Sequence, residues 1–272
     1  MVYFLSDAHL GSRALSDPSD QQQRLVGLLN TMAHDATAIY MLGDMFDFWY
    51  EYIYDNLSRS IPRRKRFFTP FLQCLKQLTE KGIQVHYFIG NHDIWTFGWL
   101  ARYTGVTVHR HPETVTVCGK SVYLAHGDGL IPSSYMQVLP PAIQKKIRAF
   151  MRLRSFFHNP VPQFFFRFMP PVIGDNFGFE WARRSRLKEL RHPCPYKGEE
   201  KEELVLFAKE QETRQHTDYY VFGHRHIVLD LPLAGHSRVF ILGDCFRQWT
   251  YARMDEKGQM AIFSVKTKTD CN

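Results

Sequence analysis

Five short segments rich in Asp and His each stand directly after an apolar run. They are Asp7-Ala8-His9, Gly43-Asp44-Met45-Phe46-Asp47, Gly90-Asn91-His92-Asp93, His126-Gly127-Asp128 and Gly223-His224-Arg225-His226. The runs before them are short and rich in Val, Ile, Tyr and Phe, which reads as buried strand. Longer stretches with helical spacing separate them; Leu25, Leu28, Leu29 and Met32, for example, recur at i, i+3, i+4 and i+7. This alternation is the pattern of an α/β architecture. In such a fold the carboxyl ends of neighbouring strands converge on one edge of the sheet, so Asp7 and His226 can meet in space.

The strands are expected at Val2–Ser6, Thr37–Leu42, Gln84–Ile89, Thr114–Val117, Ser121–Ala125, Asp218–Phe222, Arg238–Leu242, Gln248–Met254 and Gln259–Val265. A helix is expected over Phe67–Lys81 with Gly82 as its C-cap, and a charged surface helix over Glu199–Gln215. A chain of 272 residues, 44% apolar and 22% charged, suits one large globular domain or a domain with an insertion. No apolar run approaches the ~20 residues of a spanning helix, and no signal peptide is visible at the start. Five scattered cysteines (Cys74, Cys118, Cys194, Cys245, Cys271), without a C-x-x-C, fit a reducing cytoplasm.

The net charge of +7 is a local property. Residues 129–198 hold twelve Lys or Arg against Asp175, Glu180 and Glu189, a surplus of nine, so the rest of the chain is slightly acidic. The same segment places ten Phe or Trp residues between Phe150 and Trp181, interleaved with Arg and Pro. Phe164, Phe165 and Phe166 are consecutive, so their rings cannot share one helix face. We expect a mostly helical cap at 129–198, with a core of 1–128 and 199–272, and apolar area offered to a ligand.

The residues gathered at the strand ends combine oxygen donors (Asp7, Asp44, Asn91) with imidazoles (His9, His126, His224, His226). That mixture suits Mn, Fe, Co or Zn. Seven ligands exceed one tetrahedral ion and suit two ions sharing a carboxylate, which at ~3.5–4 Å apart can clamp a phosphoryl displacement. Asp93 and Asp128 are expected to brace turns rather than bind metal. Gly243-Asp244-Cys245 reads as an ordinary strand-end turn. The run of Arg59, Arg63, Arg64, Lys65 and Arg66 reads as a solvated loop, with contact to an anionic surface as the sharper alternative.

The series D-x-H, G-D-x-x-D, G-N-H-D, H-G-D, G-H-x-H resembles the calcineurin-like metallophosphoesterase superfamily, in order and over about four fifths of the chain. The resemblance implies a four-layer αββα sandwich. It implies one metal on Asp7, His9, Asp44 and His226, and a second on Asp44, Asn91, His126 and His224. His92 would protonate the leaving oxygen or steady the transition state, oriented by Asp47. Within the superfamily the chain is similar to the UDP-2,3-diacylglucosamine pyrophosphatase family of lipid A synthesis, departing from it at His92, where the best-known members carry arginine. That similarity implies two divalent ions, Mn first among them. It also implies a lipid-linked sugar nucleotide as substrate, Trp49 lining an acyl chamber, and a cytoplasmic protein peripheral to the anionic inner membrane. Arg184 and Lys188, spaced i, i+4, are candidates to face the phosphates beside Asn91. A nuclease or nucleotide phosphodiesterase is the competing reading, since basic aromatic surfaces also bind nucleic acid, although no nucleic acid partner is expected. Intact ligands at every block argue against a metal-free scaffold.

Overall fold

The computed structural model describes residues 1–191 and 195–265, so Cys194 and Cys271 lie outside the described residues. In chain order the elements begin β1 (Val2–Leu5), α1 (Pro18–Met32), β2 (Ala38–Leu42), α2 (Ile53–Leu57), α3 (Thr69–Glu80), β3 (Gln84–Phe88), α4 (Trp99–Thr104), β4 (Thr107–His109), β5 (Glu113–Val117) and β6 (Lys120–Ala125). Four helices follow: α5 (Ser133–Val138), α6 (Pro141–His158), α7 (Pro160–Phe166) and α8 (Pro171–Arg191). The chain closes with α9 (Glu203–Glu212), β7 (Tyr219–Phe222), β8 (Val228–Pro232), β9 (Arg238–Leu242), β10 (Thr250–Met254) and β11 (Met260–Ser264).

Two mixed sheets form, ordered β11-β10-β1-β2-β3-β4 and β5-β6-β7-β9-β8. Alternation along each strand decides the layers. Val2, Phe4, Ala38, Tyr40 and Leu42 face the second sheet and pack on Val122, Leu124, Val221, Phe240 and Leu242. Their neighbours Tyr3, Leu5, Ile39 and Met41 face outward onto Leu25, Leu29, Leu72 and Leu75 of α1 and α3. On the far side Tyr220, Phe222, Val239 and Ile241 meet Leu204, Val205 and Ala208 of α9. The result is a four-layer αββα sandwich. β1, β2 and β3 run parallel in one sheet, and β6, β7 and β9 in the other, so all six present their carboxyl ends to one edge.

The basic run lies in a short 3-10 turn, Arg63–Phe68, and is only partly solvated. Arg59, Arg63 and Arg66 are exposed, whereas Lys65 is buried, its ammonium donating to the Tyr50 carbonyl and lying 4.0 Å above the Trp49 ring. Arg64 pairs with Asp55 and covers the Tyr52 ring. Burial pushes the Lys65 pKa down to about 8, against the pull of Asp55. Between pH 8 and the ordinary lysine value the folded chain therefore binds fewer protons than the unfolded one. Stability gains from this group as pH rises through that window, by up to about 3 kcal/mol. Urea unfolding at pH 7.5 and 10 should show the wild type gaining on Lys65→Met at the higher pH; an unchanged difference would contradict the burial argument.

Candidate metal centre

Each motif turns sharply as its strand ends, and the backbone records the cost. Asp7, His9, Asp44, His224 and His226 all have positive φ, between 46° and 66°. A non-glycine residue held there costs about 1–3 kcal/mol and persists only where surrounding bonds dictate it. Those bonds are present. The Asp7 N–H donates to the Gly43 carbonyl at 3.1 Å and the His9 N–H to the Asp44 carbonyl at 2.9 Å. The His224 N–H donates to the Asp7 carboxylate at 2.9 Å. Strain at these positions aims the side chains inward rather than along the sheet.

The side chains converge. His226 Nε2 lies 3.0 Å from Asp7 Oδ1 and 3.2 Å from His9 Nε2. Asp44 Oδ2 is 3.8 Å from His9 Nε2 and 3.4 Å from His126 Nε2, so one carboxylate oxygen faces both halves of the cluster. Asn91 Oδ1 is 3.3 Å from His126 Nε2, and the His126 and His224 rings stand 5.1 Å apart. His126 Nδ1 donates to the Leu42 carbonyl at 2.8 Å, which turns Nε2 inward toward Asp44 and Asn91. Asp7 and Asp44 are buried.

Electrostatics sort these groups. Burial and the Arg186 guanidinium hold His9 well below the ordinary imidazole value, and burial together with His126 brings His224 down to about 4. Burial also opposes charge on His126 and His226, yet the Asp44 carboxylate lifts the first well above normal, and Asp7 with Glu189 lifts the second to about 9. Asp44 stays anionic because His126 and His92 outweigh its burial. Anionic oxygens, an amide oxygen and imidazole nitrogens drawn together at one point fit the donor set of divalent first-row ions, whose binding would displace the protons that Asp44 and Asp7 hold on His126 and His226. Three overlapping groups have ligand atoms close enough to share an ion: Asp7/His9/His226, His9/Asp44/His92 and Asp7/Asp44/His126.

His92 donates Nδ1–H to a carbonyl at 2.6 Å, that of Asp47, and its ring lies 4.8 Å from Trp181 of α8. Asp47 orients His92 through its backbone; its carboxylate lies instead 3.5 Å from His9 Nδ1 and 3.7 Å from Arg186 Nε. Asp93 braces the Gly90 turn, accepting from Tyr87, Gly90 and Met45, and Asp128 accepts from Arg154 of α6. Asp244 caps its own turn, as its sequence suggests, accepting from the N–H groups of Phe246, Arg247 and Gln248. That turn also seats Phe246 edge-on against His9 and His226, at 5.7 and 5.4 Å.

Three expected substrate contacts are placed differently. Trp49 is buried in the core, stacked on Phe46 at 4.1 Å with its indole N–H donating to Glu51. The space beside it, about 20 Å³, holds no more than a water. Because side chains alternate, its neighbour Phe48 faces the insertion, 5.3 Å from Phe179. Arg184 is exposed and bound to Glu180, and Lys188 is exposed. The arginine that reaches the centre is Arg186, 2% exposed. A sequence signal for it existed: Gly174, Gly178 and Ala182 recur every four residues where α8 presses on Tyr52 and Phe48, and Arg186 continues that stripe.

A relative from Porphyromonas gingivalis named UDP-2,3-diacylglucosamine hydrolase is 38% identical over 265 residues, covering 93% of this chain and 94% of its own. Proteins of the same name from Stutzerimonas stutzeri and Pseudomonas aeruginosa are 26% and 25% identical, covering 95% and 94% of this chain and 96% of each relative. The calcineurin-like phosphoesterase family model matches residues 1–228, a span that includes every strand-end donor just described. With its inward Asp, Asn and His side chains set on that scaffold, the chain belongs to the calcineurin-like phosphoesterases, a family of metal-dependent phosphoester hydrolases.

Proposed function

We propose that this protein hydrolyses the pyrophosphate of UDP-2,3-diacylglucosamine, giving UMP and 2,3-diacylglucosamine 1-phosphate, at a pair of manganese ions. Asp7, His9, Asp44 and His226 would hold one ion, and Asp44, Asn91, His126 and His224 the other. The observation that carries the reading is the surface beside the donors. The helices between β6 and α9 expose Phe150, Phe156, Phe164, Phe165, Phe168 and Phe177, and the same insertion brings Trp181 to 4.8 Å from the His92 ring. A substrate with two acyl chains and a pyrophosphate requires apolar area adjoining an ionic centre.

The bound ions would supply Lewis acidity toward the phosphoryl oxygens and an activated water. The chain's own residues do the rest. With Nδ1 committed to the Asp47 carbonyl, His92 keeps Nε2 for proton transfer to the leaving oxygen. Trp181 and Phe246 shield the imidazoles from bulk water, which strengthens every charge interaction inside.

Lys145, Lys146, Arg148 and Arg152 of α6 are exposed beside the aromatic face, which suits an anionic leaflet, each contributing ~1 kcal/mol near the surface. Among the described residues no helix is long and apolar enough to cross a membrane, so the contact would be peripheral. The protein, supplied with Mn, should cleave UDP-diacylglucosamine presented in phosphatidylglycerol vesicles and leave oligonucleotides intact. Release of UMP, followed by phosphorus NMR, checks this. Cleavage of oligonucleotides with the lipid untouched would put a nuclease in its place.

A further inference from the structure

The two halves of the centre are braced from different places. Behind Asn91, His126 and His224 stands the core: His126 Nδ1 rests on the β2 carbonyl of Leu42, and among the described residues no hydrogen bond or ion pair to these three comes from the insertion. Behind His9 and His226 stands α8. Glu189 accepts from His226 Nδ1 and is itself held by Arg186 and by Arg247, the latter at 2.8 Å. Arg186 also aims Nε at the Asp47 carboxylate, which faces His9 Nδ1. His9 Nδ1, Asp47 Oδ1 and Arg186 Nε are all buried without a closer hydrogen-bond partner, and Arg186 lies 5.1 Å over the Phe246 ring that separates the two imidazoles from solvent.

We propose that α8 is the outer wall of one metal site only. Glu189 and Arg186 are positioning residues that fix the inward nitrogens of His226 and His9, so that seating of this helix and occupancy of the Asp7/His9/His226 site are thermodynamically coupled. The inference rests on the two-metal reading above. A partner behind a ligating histidine sets its ring orientation and basicity, and its loss typically costs 10–100-fold in metal affinity. Coupling is reciprocal, so metal bound at that site must also steady α8. A phosphoesterase built this way would assemble its first site fully only when the aromatic insertion is docked, and the second without it.

Calorimetric titration of metal-free protein with Mn tests this. The wild type should show two sites. In Glu189→Gln and in Arg186→Gln one site should weaken tenfold or more while the other stays within threefold. Ser185→Ala, on the exposed face of the same helix, should leave both unchanged. Two unaffected sites, or two equally weakened ones, would overturn the proposal. Should either variant fail to fold, hydrogen exchange in the wild type decides: residues of α8 should slow on adding Mn, and unchanged protection would overturn the coupling. If the wild type binds fewer than two ions, the two-metal reading fails, and the exchange measurement still decides whether metal and α8 are linked.

Discussion

Asp44→Ala should lower turnover of bis(p-nitrophenyl) phosphate with Mn by at least 10³-fold, a loss of about 4 kcal/mol of transition-state stabilisation. The size follows from where the carboxylate stands. Its Oδ2 faces His9 Nε2 on one side and His126 Nε2 on the other, and its Oδ1 accepts the His92 N–H at 2.9 Å. Truncation removes the shared oxygen of both proposed sites and leaves the Asn91–His92 turn without its anchor. It also strips the charge that keeps His126 protonated. Asp44→Asn separates these effects, because an amide keeps the bond to the His92 N–H but has no negative charge to share. If charge between two cations is what matters, the amide should be nearly as inactive as alanine, with its metal content reduced by elemental analysis. Retention of more than a tenth of wild-type turnover in either variant would contradict the bridging role.

The scaffold, and the gathering of the five motifs at one edge, were legible in the sequence because both follow from where apolar strands end. β9 lies where its apolar run puts it, and each motif begins within a few residues of a strand end. What was not legible depends on distant partners. α4 and β4 are too short to carry a pattern; α4 forms because the buried Glu51 carboxylate accepts from the Trp99 and Leu100 N–H groups at 2.8 Å, across nearly fifty residues. β8 follows the last motif almost at once, and its alternation ends in a proline that suits an edge strand. Asp47 looked like a side-chain partner for His92 and acts through its carbonyl, a choice of backbone geometry that residue identity does not encode. In α8 the i, i+4 spacing of Arg184 and Lys188 was real but on the outward face, since helical phase is set by which face packs. Only the small residues that admit Phe48 and Tyr52 reveal that phase.

Gly90→Ala tests whether the donor cluster depends on close approach of backbone rather than on ligand identity alone. A Cβ built on Gly90 would stand 2.2 Å from Asp44 Oδ1 and 2.7 Å from the Asp44 amide nitrogen, so neither the β3 turn nor the β2 turn can stay in place. The nearest obstacle is the carboxylate itself, and it cannot swing aside without giving up the His92 N–H and its contact with His126. Relief by backbone shift would instead move Asn91, the next residue along. Either way one methyl group on a residue with no polar side chain should displace a proposed ligand by more than the proposed two-metal site would tolerate. A misplacement of about 1 Å is enough to cost 10²-fold. We expect turnover at least 100-fold below wild type, with Mn affinity reduced at the site that includes Asn91 and His126. The crowding should also appear as lowered thermal stability, because the folded state must absorb the clash. Turnover within threefold of wild type would mean that the strand ends can part without disturbing the ions, and that the tight Gly90–Asp44 contact has no catalytic consequence.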